Sequence, residues 1–183
     1  MTTKLLSTSA LLLALVSAAG GQTKQVDLIK DESSVSYRLV HPLHTIEATS
    51  KDVVYQIDFD PTKQEIKSVS AQVDVTTFDS GNSNRDSHAM EVIDALTFPD
   101  VTFSSTTIAQ SGDSLSIAGK LTFHGVTKDI FAAAVSKWSP NRLEVRGSFD
   151  VSLTAFNIER PSLLMIPVED TLRFSFTGVF AWK

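Results

Sequence analysis

Cysteine is absent from all 183 residues. That excludes a disulfide framework and any thiolate metal centre. It also leaves no thiol for lipoprotein attachment, so the mature chain is expected as a released, soluble species. Basic residues are in the minority: 16 Lys and Arg against 21 Asp and Glu give a net charge of -5. A nucleic-acid binder needs a basic stripe to neutralise phosphates, and a polybasic membrane anchor needs a cationic cluster; this balance argues against both. Beyond the amino-terminal segment no apolar window reaches the length of a membrane helix. Also missing are the Gly-x-Ser-x-Gly elbow, the phosphate-binding loop and the dinucleotide fingerprint.

What is present begins with an export signal. Lys4 supplies a short positive region, Leu5 to Val16 is apolar apart from Ser7, Thr8 and Ser9, and Ser17-Ala18-Ala19-Gly20-Gly21 offers small residues for cleavage. This is the layout of a secretory signal over residues 1–21, followed by a single domain over 22–183. Export without disulfides suits a bacterial periplasm, where a domain of this size relies on its core.

The clearest pattern lies in Ser114 to Val135. Leu115, Ile117, Gly119, Leu121 and Phe123 share one parity, and Ser116, Ala118, Lys120, Thr122 and His124 share the other. A period of two means a strand with one buried and one wet face. Gly125 accepts the positive φ of a tight turn, with His124 as its neighbour. The return strand from Val126 is interrupted by alanines that blur its facing.

Similar alternation predicts strands over Val26 to Lys30, Ser34 to His41, Thr45 to Asp60, Ile66 to Phe78, Val101 to Ile108, Arg142 to Leu153 and Thr171 to Ala181. One short helix is predicted over Ser87 to Ala95, capped by Asn84 or Asp86, within the long connection Asp79 to Asp100. Ala155 to Val168, with Pro161 and Pro167, reads as an irregular loop around the apolar run Leu163-Leu164-Met165-Ile166. About eight long antiparallel strands left as an open sheet would expose two edges and an apolar face. Closing them into an eight-stranded barrel removes both faults and leaves room for one ligand. A two-sheet sandwich is the structural alternative.

Three separated blocks then resemble the YceI-like family. The first is Phe78-Asp79-Ser80-Gly81-Asn82, with Arg85-Asp86-x-His88 and Phe98-Pro99-x-Val101-x-Phe103-x-Ser105-Thr106. The second is Gly119-x-Leu121-Thr122-Phe123-His124-Gly125-Val126-Thr127-Lys128. The third is Phe156-x-Ile158-x-Arg160-Pro161-Ser162 with Asp170-Thr171-Leu172. The segment His41-Pro42-Leu43-His44 departs from the commonest family pattern, as in a divergent branch. The resemblance implies a lipocalin-like antiparallel barrel, export to the periplasm, and an interior that binds a long isoprenoid or similar amphiphilic lipid.

The residues themselves suggest little catalysis. His41 and His44 could ligate a metal, but no carboxylate or thiolate stands at a recognised spacing, so the expectation is no metal and no other cofactor. Arg85, Asp86 and His88 could form an acid–base cluster; the plainer reading has Asp86 cap the helix while Arg85 and His88 tie the long loop to the barrel. His124 reads as a turn residue. The expectation is a non-enzymatic lipid carrier, with a lipid-processing enzyme or a filled barrel serving as a stress or interaction protein as alternatives. Nine of the eleven phenylalanines fall within Phe98 to Phe180, mostly in inward phase. Candidate lining residues are Tyr37, Val73, Val75, Phe103, Leu121, Phe123, Phe149, Phe174 and Phe176. Leu163, Leu164 and Met165, in the run Leu163 to Ile166, are a candidate mouth or membrane-touching loop, or a plug over the barrel end. A homodimer through an edge or the helix stays open, although no exposed apolar stripe demands one.

Overall fold

The computed structural model describes residues 26–183; the expected signal, residues 1–21, lies outside them. The strands are β1 (Val26–Leu28), β2 (Ser34–His41), β3 (His44–Ser50), β4 (Val54–Asp60), β5 (Glu65–Asp74), β6 (Asp100–Ser111), β7 (Ser114–Phe123), β8 (Val126–Ser139), β9 (Arg142–Ser152), β10 (Ser162–Leu163), β11 (Ile166–Pro167) and β12 (Thr171–Trp182). The helix α1 (Ser83–Val92) lies between β5 and β6.

The main sheet runs β3-β2-β12-β9-β8-β7-β6-β5-β4, with β1 beside β12, and its pairings are antiparallel. β3 and β4 stand at opposite ends of that order, yet only Lys51, Asp52 and Val53 separate them in the chain. One length of chain thus serves both edges. Thr49 and Asp79 exchange backbone hydrogen bonds, each 3.0 Å, which ties β3 to the chain leaving β5. The Tyr55 hydroxyl of β4 donates to the Ser34 carbonyl of β2 at 3.1 Å. The sheet therefore curls into a lipocalin-like barrel. Counting β3 and β4 as one bent strand, and β1 as the continuation of β2, the ring has the eight staves expected.

The stretch Thr45 to Asp60, expected to contain one long strand, holds two, β3 and β4, parted at residues 51–53, where the chain turns the corner of the barrel. The predicted strand Ile66 to Phe78 also stops early. Asp74 accepts a bond from the Thr76 amide at 2.8 Å and starts a short 3-10 turn over Val75–Thr77. Two register shifts set which side chains of β5 and β6 face inward. One, opposite Asp58 and Phe59, lets Ile66 face inward alongside Val69 and Val73. The other, between Ser105 and Thr107, brings Ile108 into line with Val101 and Phe103; an extra residue flips the side-chain period.

β7 buries the parity the sequence assigned, from Leu115 to Phe123. His124 and Gly125 both take left-handed backbone angles, the turn that matches strand twist. On β8 the alanines Ala132 and Ala134 point inward with Ile130, and Phe131 is 74% exposed with Val135 also outward. The outer face therefore does carry a small apolar stripe, contrary to the sequence expectation.

At one end of the barrel Phe59, Trp138 and Trp182 form an aromatic floor, packing edge to face or tilted with centroids 4.9–6.3 Å apart. At the other end stand α1, the β7–β8 turn and the long connection from β9 to β12. The helix begins earlier than predicted. Asn82 is the cap, its side chain accepting from the Asn84 and Arg85 amides at 3.1 and 3.2 Å. Asp86 is not the cap; its carboxylate accepts from the Ser80 amide at 3.2 Å. Among the described residues, no helix is long and apolar enough to cross a membrane.

Candidate functional site

Strand alternation sends one side chain in two toward the barrel axis, so the interior is set by which of these fill it and which leave room. Two chambers remain. The inner one holds about 890 Å³ of space between its lining atoms, counting where it opens to solvent. Aliphatic and aromatic side chains line it, Gln72 and the Tyr55 phenol being its polar exceptions. Burial pushes the Tyr55 phenol well above the usual tyrosine range, so it stays a neutral donor to Ser34.

The outer chamber lies beneath α1 and holds about 920 Å³ on the same measure. Its walls are apolar, from Leu39, Ile46 and Phe78 to Ile158 and Leu172; its rim carries Arg85, Asp86 and His88. Val101 and Phe174 belong to the lining of both chambers. The two chambers therefore share part of one wall, formed by those two residues.

All nine side chains singled out as lining candidates face these chambers. Val73, Phe103, Leu121, Phe149 and Phe176 line the inner chamber, Tyr37, Val75 and Phe123 the outer, and Phe174 both. Phe149 stacks on Phe174 with centroids 5.1 Å apart. The sequence reading missed the helix side: Ala89, Met90 and Ile93 form part of the outer wall. Met90 and Ala89 stand three and four residues before Ile93, which signals a shared face, although nothing local says that the face covers a cavity.

The rim is held by polar bonds. The Arg85 guanidinium donates to the Ser80 hydroxyl and carbonyl, both at 2.8 Å, and makes no ion pair among the described residues. Tyr37 projects beneath, its ring 5.3 Å from Phe78. Burial first, then the nearby Asp86 carboxylate, holds its phenol above the usual range. His88 is largely exposed and sits 3.7 Å from Glu91, so it does not tie the loop to the barrel as expected; Arg85 bonds within the connection, to Ser80, and the tie to the barrel is the Thr49–Asp79 pair.

His124 and His41 are structural. The His124 ring meets the Phe156 carbonyl at 3.1 Å and packs against Phe98. In buried His41 the Nδ1 accepts from the Leu43 amide at 3.1 Å, which places the proton on Nε2, donating to the Ile166 carbonyl at 2.9 Å. Both nitrogens are engaged, so neither offers a lone pair to a metal. Among the described residues no cluster of three His, Asp or Glu side chains could hold one.

The run after Pro161 is not an irregular loop. β10 and β11 form a hairpin, and Leu164 and Met165 at its tip both take left-handed angles, φ 52° and 63°. They are 75% and 94% exposed, so the tip does not plug the barrel.

Comparison with known proteins agrees with this architecture. The model of the YceI-like domain matches residues 26–180. Protein YceI of Salmonella newport (strain SL254) is 28% identical over 160 residues, covering 82% of this chain and 84% of its own length. The crystal structure of Burkholderia cenocepacia BcnA superposes with a TM-score of 0.76 at 25% identity, over 84% of this chain and 99% of that one. A domain from Saccharophagus degradans, described as polyisoprenoid binding, superposes at 0.67 with 11% identity, over 87% of this chain and 99% of that one.

Proposed function

The chain belongs to the YceI-like domain family, and on that premise we propose that it is a periplasmic carrier of a long-chain isoprenoid or similar amphiphilic lipid. The carrying observation is the largely apolar interior: two chambers share Val101 and Phe174, which would form the waist of one path opening at the Arg85, Asp86 and His88 rim. A tail threaded through the waist gains about 0.8 kcal/mol per buried CH₂, so affinity comes from the tail and needs no catalytic group. The Arg85 guanidinium, which makes no ion pair among the described residues, favours an oxygen-rich or anionic head at the rim. The polyisoprenoid-binding description of the Saccharophagus degradans domain supports the ligand class. The signal-like amino terminus supports export.

The test is mass spectrometry of an organic extract from protein purified out of a periplasm. A single stoichiometric polyisoprenoid, quinone or fatty amphiphile is expected. An empty extract, together with no uptake of an added isoprenoid quinone or alcohol, would overturn the reading.

One observation favours a second reading, an enzyme acting on the same lipid: Arg85, Asp86 and His88 do line the outer chamber. A product lipid formed by the wild type and lost in His88→Ala would establish it.

A further inference from the structure

We propose that the β10–β11 hairpin is a membrane-docking tip, and that its partner is the apolar zone of a lipid bilayer. Its sequence, Leu163-Leu164-Met165-Ile166, carries no charge and no polar side chain. A two-residue hairpin turn of this kind needs positive φ at both central residues, which asparagine and glycine supply without strain. Here a leucine and a methionine occupy those positions, at φ 52° and 63°. Folding gains nothing visible from this choice, because both side chains point into solvent, 75% and 94% exposed. Strain together with exposed apolar surface marks a site kept for contact with something outside the fold.

The tip is presented rigidly. The Ile166 carbonyl accepts from buried His41 at 2.9 Å, the Val168 amide donates to the Pro161 carbonyl at 2.9 Å, and the Arg160 Nε donates to the Val168 carbonyl at 2.8 Å. Leu43, also exposed, donates its amide to the other nitrogen of His41 and so extends the apolar patch. Position and charge name the partner. β10 starts directly after Pro161, which lines the outer chamber, so a membrane under the tip would lie at the open end of the path. The nearest charged residues along the chain, Glu159, Arg160, Glu169 and Asp170, sum to a net negative charge. Attraction to anionic headgroups is therefore not the drive; insertion of apolar side chains is.

The test uses protein exported and processed by its host, so that the amino-terminal apolar segment is gone. Flotation with phosphatidylcholine vesicles should carry the wild type, and adding phosphatidylglycerol should not raise the bound fraction. The double substitution Leu164→Asn and Met165→Gly installs the preferred turn while removing the apolar tip. It should melt at the wild-type temperature or above and lower vesicle binding at least tenfold. Ala132→Phe, which fills the inner chamber, should still float, so failure of the carrier reading and failure of docking are told apart. The proposal is overturned by a wild type that stays in solution, by binding that requires phosphatidylglycerol, or by a double variant that floats like the wild type. A tip-dependent dimer with no vesicle binding would equally overturn it, assigning the patch to a second copy of the chain.

Discussion

The Phe176 ring occupies the place where a side chain of Gly147 would stand. The two residues face each other across β12 and β9, and a β-carbon on Gly147 would lie 2.5 Å from Phe176 Cζ and 2.6 Å from the Ala133 carbonyl oxygen. Gly119 makes the same niche for Phe103, whose Cζ would be 2.4 Å from an added β-carbon. Because each glycine lets a phenylalanine lie back against the wall, the rings line the inner chamber and leave it open. Gly147→Ala should cost about 1–3 kcal/mol through overpacking against a backbone oxygen that cannot yield. Urea unfolding measures this; an unchanged midpoint would mean that the ring has another place to go.

Ala132 is the complementary case, a small inward residue on β8 lining the inner chamber. Ala132→Phe should project a ring into free space without loss of fold. Tails long enough to pass the waist should lose at least tenfold in affinity, and short tails held in the outer chamber should lose little. Titration with a series of isoprenoid alcohols of increasing length reads this directly. Equal losses at all lengths would show that the tail does not enter past Val101 and Phe174.

The indole nitrogen of Trp138 is buried in the floor without a hydrogen-bond partner among the described residues. An unsatisfied buried donor costs about 1–3 kcal/mol. Trp138→Phe removes that donor and keeps most of the ring against Phe59 and Trp182. Its melting temperature should match or exceed the wild type. A fall of more than about 5 °C, larger than about 1 kcal/mol produces in a domain of this size, would show that the nitrogen is bonded.

Asp170 ties the β9–β12 connection down. Its carboxylate accepts from the Ser152 hydroxyl and, at 2.9 Å, from the Thr154 amide, which hold its pKa below the ordinary value. A depressed folded pKa adds stability above the unfolded value and loses it as pH falls through the folded one. Asp150, held down by Arg173, and Asp74, held down by Thr76, act with the same sign. Stability should therefore change little from neutrality to about pH 5, then fall steeply below about pH 4, where unfolded aspartates take up protons. Asp170→Asn should lower stability at neutral pH and flatten that acid slope, as chemical unfolding across the pH range would record.

The sequence by itself determined the inward parity of β7, β9 and β12, because strand alternation is local and the pleat repeats every two residues. It also determined the His124-Gly125 turn. The helix start was ambiguous because Ser80, Asn82, Ser83, Asn84 and Asp86 are all competent caps. The choice of Asn82 accompanies the Arg85 and Asp86 bonds to Ser80 and the pairing of Asp79 with Thr49, a contact thirty residues distant.

Only the tertiary structure decided where the long strand Thr45 to Asp60 breaks, because a barrel corner is set by ring closure and not by pattern. It alone decided that the interior is open. Packing density depends on which side chains meet across the axis, and the niches at Gly119 and Gly147 are filled from neighbouring strands. It alone lifted Leu164 and Met165 into solvent on a hairpin anchored by His41, 125 residues away from Ile166.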